Sequence, residues 1–283
     1  MRHVLIACAL AAGLSLPAAA ADPPVDAPQT APPDAALQQA VAGDWRDPAN
    51  VARDRYRHPA ETLAFFGVRP DQTVVEITPG GGWYAEILAP LVRDKGHYVA
   101  AVVDPMAVAE GRGRDYQQRS KSGLEATFAA APAQFDRAEV VGYDPAAPVF
   151  GAPDSADVVL TFRNVHNWRS NGQAEGMFRG FFAVLKPGGV LGVAEHRAKG
   201  DVADDDASGY VGEQQVIAMA QAAGFRLDAK SEINANPKDT KDHPNGVWTL
   251  PPTNNHDDAD AAKYQAIGES DRMTLRFVKP AQP

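Results

Sequence analysis

Residues Val74 to Leu88 read V-V-E-I-T-P-G-G-G-W-Y-A-E-I-L, and this run decides the fold. A short apolar strand ends near a carboxylate, three glycines follow, and an amphipathic helix begins. Strand, glycine bend and helix bring backbone N–H groups and a helix N-terminus up to a ligand in α/β proteins. Gly80, Gly81 and Gly82 have no Cβ to obstruct that approach and tolerate positive φ.

Working outward, strands alternate with helices. Thr73 to Ile77 is the first strand and Trp83 to Val92 the helix after it. Tyr98 to Val103 is a second strand, with Asp104 at its end, placed to accept hydrogen bonds from a ribose. A polar helix lies within Ala107 to Phe128, and Ala138 to Gly142 is a third strand ending near Asp144. Asp157 to Phe162 and Val190 to Ala194 read as fourth and fifth strands, with a helix from Gln173 to Leu185 between them. Gly212 to Ala223 is helical and stops at Gly224. Phe225 to Ile233 and Met273 to Val278 read as a closing strand pair. The alternation predicts an α/β fold with a Rossmann-like, seven-stranded, mostly parallel sheet and helices on both faces.

The ends of the chain read differently. Arg2 and His3 precede an apolar run from Val4 to Leu16, and Ala18 to Ala21 offers a small-residue cleavage pattern. Residues 1–21 are expected to be a signal peptide, too short to span a membrane. Leu5-Ile6-Ala7-Cys8 superficially resembles a lipoprotein box but sits too early in the apolar run. A periplasmic or secreted protein follows, exported by the general secretory route, because Arg2 has no twin. Residues 22–34 form a proline-rich linker. Residues 35–283 then make one domain, with an N-terminal helical cap at 35–67 and a long insertion at 234–271.

The net charge is −9, and loss of Arg2 with the leader makes it −10. An acidic chain argues against nucleic acid or an anionic membrane as partner and points to a small molecule. The single cysteine, Cys8, falls in the leader, so the remainder has no thiolate ligand for a metal.

Three motifs together resemble the class I S-adenosylmethionine-dependent methyltransferases over Pro59 to Pro280. They are Glu76-Ile77-Thr78-Pro79-Gly80-Gly81-Gly82, Asp104 at the end of strand two, and Leu185-Lys186-Pro187-Gly188-Gly189 leading into strand five. The E-I-x-P-G-G-G-W-Y run is similar to an exported bacterial "predicted methyltransferase" subgroup. Thr78 stands where the family usually has its first glycine. The resemblance implies S-adenosylmethionine as cofactor, held by Glu76, Thr78, Gly80, Gly81, Gly82, Trp83, Asp104 and Asp144. The Leu185 to Gly189 turn also has a plain structural use: Lys186 complements the helix C-terminus and Pro187 ends the helix.

Each candidate has a structural alternative. Gly80-x-Gly82-x-x-Ala85 with Asp104 about 20 residues on also fits a dinucleotide fingerprint. Trp83 and Tyr84 either face a sulfonium or pack their helix on the sheet. Asp144 either meets an adenine or caps its own Asp-Pro turn. His166 is the general-base candidate, with Asn164 helping to orient the acceptor, and its alternative is a loop histidine bonded to backbone. Arg163 is placed to pair with a substrate carboxylate or with Glu76. Glu195 and His196 leave strand five on the same edge, but their spacing matches no standard metal pattern, so no metal is expected. His243, His256, Asp257 and Asp258 read as a solvated loop, and Trp248 as a lid or a core anchor.

The expected activity is methyl transfer to a small-molecule acceptor. Export separates such an enzyme from the compartment that makes its donor, which leaves open a non-catalytic binding module on the same scaffold. A nicotinamide-dependent oxidoreductase is the remaining alternative.

Overall fold

The computed structural model describes residues 33–281. The expected leader and residues 22–32 of the proline-rich stretch lie outside the described residues. Four short helices come first: α1 (Ala35–Val41), α2 (Pro48–Val51), α3 (Asp54–Arg57) and α4 (Pro59–Phe65). Asp34 accepts from the Leu37 N–H at 2.7 Å and Asp47 from the Ala49 N–H at 2.8 Å, so α1 and α2 each start on a side-chain cap. Pro48 and Pro59 open α2 and α4, where their missing N–H costs nothing.

The sheet core then builds as β1 (Thr73–Ile77), α5 (Ala85–Val92), β2 (His97–Val103), α6 (Arg112–Ala130), α7 (Pro132–Phe135), β3 (Ala138–Tyr143) and β4 (Ala156–Phe162). It continues as α8 (Val165–Ser170), α9 (Ala174–Val184), β5 (Leu185–His196), α10 (Glu213–Ala222), β6 (Arg226–Ser231), α11 (Ala261–Ile267) and β7 (Arg272–Val278). The strand order is β3-β2-β1-β4-β5-β7-β6. Only β7 runs antiparallel, paired to β5 on one side and β6 on the other.

Alternation along β1 divides the core. Val74 packs in an apolar cluster with Leu63, Phe66 and Leu88, while Val75 and Ile77 pack in a second cluster with Met177, Phe178 and Phe181. Helices therefore cover both faces, as a parallel sheet requires. After β1 the chain steps outward to β2 and β3, then returns to the other side of β1 as β4. That reversal leaves a crevice beyond the C-terminal ends of β1 and β4.

Several expected boundaries moved. The helix after the glycines begins at Ala85 rather than Trp83. Leu185 to Gly189 belongs to β5, and Lys186 bonds Asp157 at 2.7 Å instead of the helix end. The cation at the end of α9 is Lys279, whose Nζ donates to Phe182 O at 2.8 Å and Leu185 O at 2.7 Å. The 234–271 stretch is folded: it carries two 3-10 turns and α11, and buries Asp239 beneath it.

Candidate active site

A cavity of about 330 Å³ opens at the β1–β4 crevice. Its walls come from the glycine bend, the segment after β4, the end of β5, the N-terminal helices and the 234–271 segment. A second cavity of about 410 Å³ shares Gly80, Gly81 and Tyr116 and runs along α6, so the cleft continues across the bend.

Two residues beside the cavity hold a backbone conformation that suits glycine. Thr78, just after β1, has φ 51°, and Arg163, just after β4, has φ 62°. Such φ values are rare for a β-branched or long side chain and gather at functional sites. Thr78 thus takes the shape a glycine would take there, and its Oγ1 shares a hydrogen bond with the Tyr143 hydroxyl at 2.8 Å.

Gly80 and Gly81 line the cavity, and a Cβ on either would meet nothing within 4 Å. Their N–H groups donate to no residue among the described residues, whereas the Gly82 N–H bonds Pro79 O at 3.0 Å. Gly82 is buried away from the cavity, where a Cβ would press on Leu124 at 2.9 Å. Two free amides and two empty Cβ positions form a cradle for an anionic or carbonyl-bearing ligand group.

Glu76 does not reach this cavity. Strand alternation turns its side chain to the opposite side of β1 from Ile77, where it is 2 % exposed and accepts from the Tyr98 hydroxyl at 2.7 Å. Burial raises its carboxyl from 4.5 to about 7. The expected pairing with Arg163 is therefore absent. Asp104 is half-buried and accepts from the Met106 N–H at 2.9 Å, and exposed Asp144 accepts from the Ala146 N–H at 2.8 Å. Neither contributes to the cavity wall, and Asp144 makes the local turn that was its structural alternative.

Trp83 lines the cavity, but Arg57 lies over its ring at 4.6 Å and Arg46 at 5.3 Å. Its Nε1–H donates to Asn50 O at 2.9 Å. The ring is thus already engaged with two cations. Tyr84 is core, stacked on Phe162 with ring centroids 3.5 Å apart. Asn164 reaches the wall, yet its amide donates to Ile77 O at 3.0 Å and Thr161 Oγ1 at 3.1 Å. It ties the end of β1 to the end of β4.

His166 is half-buried on the wall. Its Nδ1–H donates to Glu195 Oε1 at 3.1 Å, which leaves Nε2 as the ring's acceptor. Glu195 is fully buried and accepts from the Val165 N–H at 2.6 Å and the His196 N–H at 2.8 Å. His196, beside it, shares a hydrogen bond with Ser270 Oγ at 2.5 Å. Burial, with His166 and nearby arginines adding to it, holds His196 well below the usual histidine range, so it is neutral. Sequence spacing had not revealed that His166, Glu195 and His196 bring their ligand-type atoms within 4.8 Å of one another. Both Glu195 oxygens are already engaged, and Arg57 and Arg163 line the same cavity, so electrostatics oppose a cation there.

Arg53, Arg57 and Arg272 converge on Glu269 at 2.7, 3.1 and 3.0 Å. Glu269 and Ser270 escaped the sequence reading. An antiparallel last strand begins where its parallel neighbours end, and that geometry would have pointed to them. Trp248 stands 6.1 Å from His166, edge to face, and is 36 % exposed.

No protein-family profile matches this chain, and no curated protein matches it in sequence. Solved structures do. A SAM-dependent methyltransferase from Aquifex aeolicus aligns with a TM-score of 0.54 at 14% identity, over 86% of this chain and 98% of its own. The [4+2]-cyclase SpnF aligns with a TM-score of 0.57 at 15% identity, over 87% of this chain and 93% of its own. A SAM-dependent methyltransferase from Methanosarcina mazei gives 0.51 at 11% identity, over 76% of this chain and 95% of its own. The chain has the class I methyltransferase fold. In that fold the cavity occupies the switch point between β1 and β4, with the glycine bend on one side and the His166–Glu195 pair on the other.

Proposed function

We propose that this protein is an S-adenosylmethionine-dependent methyltransferase acting on a small-molecule acceptor outside the cytoplasm. The observation that carries the reading is the glycine cradle: unpaired amides at Gly80 and Gly81, open Cβ positions, and the cleft that continues along α6. When bound, the cofactor supplies an electrophilic methyl group on a sulfonium. The Gly80 and Gly81 amides hold its polar end, and Asn164 keeps the bend in register with β4. His166 Nε2 takes a proton from the acceptor, while Glu195 fixes the ring through Nδ1 and stabilises the imidazolium that forms.

The sheet weighs against a nicotinamide enzyme. Dinucleotide folds use the order 3-2-1-4-5-6, whereas here an antiparallel β7 inserts between β5 and β6. The second reading, a binding module or a non-transferring enzyme, draws on SpnF, a cyclase with the same fold.

Calorimetry of the purified protein against S-adenosylmethionine, S-adenosylhomocysteine and NADH tests this. Binding of the first two and not the third is expected. Silence from both sulfur ligands at millimolar concentration would remove the reading. Fractionation and N-terminal mass spectrometry test export, with a mature start near residue 22 expected.

A further inference from the structure

One carboxylate faces four guanidiniums at this cavity. Glu269 accepts from three of them, and the fourth, Arg163, makes no side-chain hydrogen bond or ion pair among the described residues while lining the cavity. Arg57 is 1 % exposed, yet its Nη2 has no partner, and the same holds for Arg53 Nη2 and Arg272 Nε. Buried donors without acceptors are uncommon in folded proteins, and three at one carboxylate show that the guanidiniums here exceed the acceptors the chain supplies. The neighbouring buried carboxyls offer no relief. Glu195 is spent on the Val165 and His196 amides and on His166, and Glu76 faces Tyr98 on another side of β1. Burial, and then the Arg163 charge, bring Arg57 down to about 9 against the opposing pull of Glu269, as expected where guanidiniums outnumber carboxylates.

We propose that the acceptor carries an oxyanion, a carboxylate or a phosphate, and that Arg163 with Arg53 and Arg57 holds it. Guanidinium forks match both groups in geometry. Arg163 lines the cavity from the position just after β4, where its backbone is left-handed. The word acceptor rests on the methyltransferase reading; the anion site rests on the side chains alone. The cofactor also has a carboxylate, but the Gly80 and Gly81 amides are free to take it.

The test is calorimetric. The protein is first saturated with S-adenosylhomocysteine, then titrated with inorganic phosphate and, separately, malonate. At least one anion is expected to bind the loaded protein. Arg163→Gln should weaken that binding tenfold or more and leave S-adenosylhomocysteine affinity within twofold, while Arg163→Lys retains part of the anion affinity. Failure of both anions to bind overturns the proposal. So does mutual exclusion between anion and S-adenosylhomocysteine, which would assign the arginines to the cofactor's own carboxylate. If Arg163→Gln does not fold, the exclusion experiment on the unmodified protein still decides. Phosphate binding lost in Arg163→Gln, with no affinity for S-adenosylhomocysteine, would keep the anion site and remove the methyltransferase reading.

Discussion

Single residues carry the sharpest physical tests. Gly81 lines the cavity with open space around its Cβ position and, unlike Gly80 with φ 60°, has no left-handed backbone to strain. Gly81→Val should therefore abolish S-adenosylhomocysteine binding in calorimetry with little change in melting temperature; retained affinity would move the ligand elsewhere. Glu76 titrates at about 7 instead of 4.5, chiefly because it is buried. The folded state holds a proton that the unfolded state releases between those values. The stability this contributes is complete below pH 4.5 and is lost as pH rises through 7, roughly 3 kcal/mol in all. Glu76→Gln still accepts from Tyr98 and cannot ionise. Denaturant titrations should show it about 3 kcal/mol more stable than the parent at pH 8 and equal to it at pH 4. Curves that run parallel across that range would contradict the buried carboxyl. Glu269 behaves oppositely. Burial resists its charge, but Arg272, Arg57, Arg53 and Arg163 prevail and hold it at about 2. Its contribution is present above pH 4.5 and disappears as pH falls through 2. Glu269→Gln leaves the guanidiniums facing one another and should cost about 3–5 kcal/mol. Phosphate should restore part of that loss in a thermal melt.

At the scale of elements, one buried side chain gathers several of the contacts that hold the long segment between β6 and β7. Asp239, 4 % exposed, accepts from the Tyr210 hydroxyl at 2.9 Å, the Asp271 N–H at 2.8 Å and His243 Nε2 at 2.8 Å. Those bonds seat the segment so that Trp248 and Pro251 border the cavity. Asp239→Ala strands the hydroxyl and the amide without an acceptor and should cost about 3 kcal/mol. Limited proteolysis should then cut within 234–271 well before the sheet, and resistance equal to the parent would show that other contacts anchor the segment. The antiparallel β7 matters for a related reason. Its first residues emerge at the edge where β1, β4 and β5 finish, which delivers Glu269 and Ser270 to the cavity.

For the whole molecule, an acidic chain of net charge −9 encloses a cavity rich in arginine. That contrast suits a small anionic ligand over a polyanion, which would meet the acidic exterior first. Ligand binding is also a global stability test. At 100 times its Kd, S-adenosylhomocysteine should add about 2.7 kcal/mol. For a domain of this size that is a rise in Tm of roughly 5–11 °C. A shift under 1 °C at saturation would mean that the ligand does not select the folded state.

The order of strands and helices along the chain and the glycine bend were legible in the sequence because they are local. Periodicity, capping and glycine's backbone freedom act over a few neighbouring residues, and β1 runs from Thr73 to Ile77, the bounds its sequence predicts. The direction of Glu76 was not legible in this way, since strand alternation fixes two faces and only the packed helices decide which face meets a ligand. Arg53 and Glu269 lie 216 residues apart, and nothing local to either predicts their ion pair. The β1–β4 reversal and the antiparallel β7 bring them together. Sequence determined the glycine bend at the end of β1; the tertiary structure alone decided the charge around the cavity beside it, because charge at a site is summed over elements that meet only when the sheet closes.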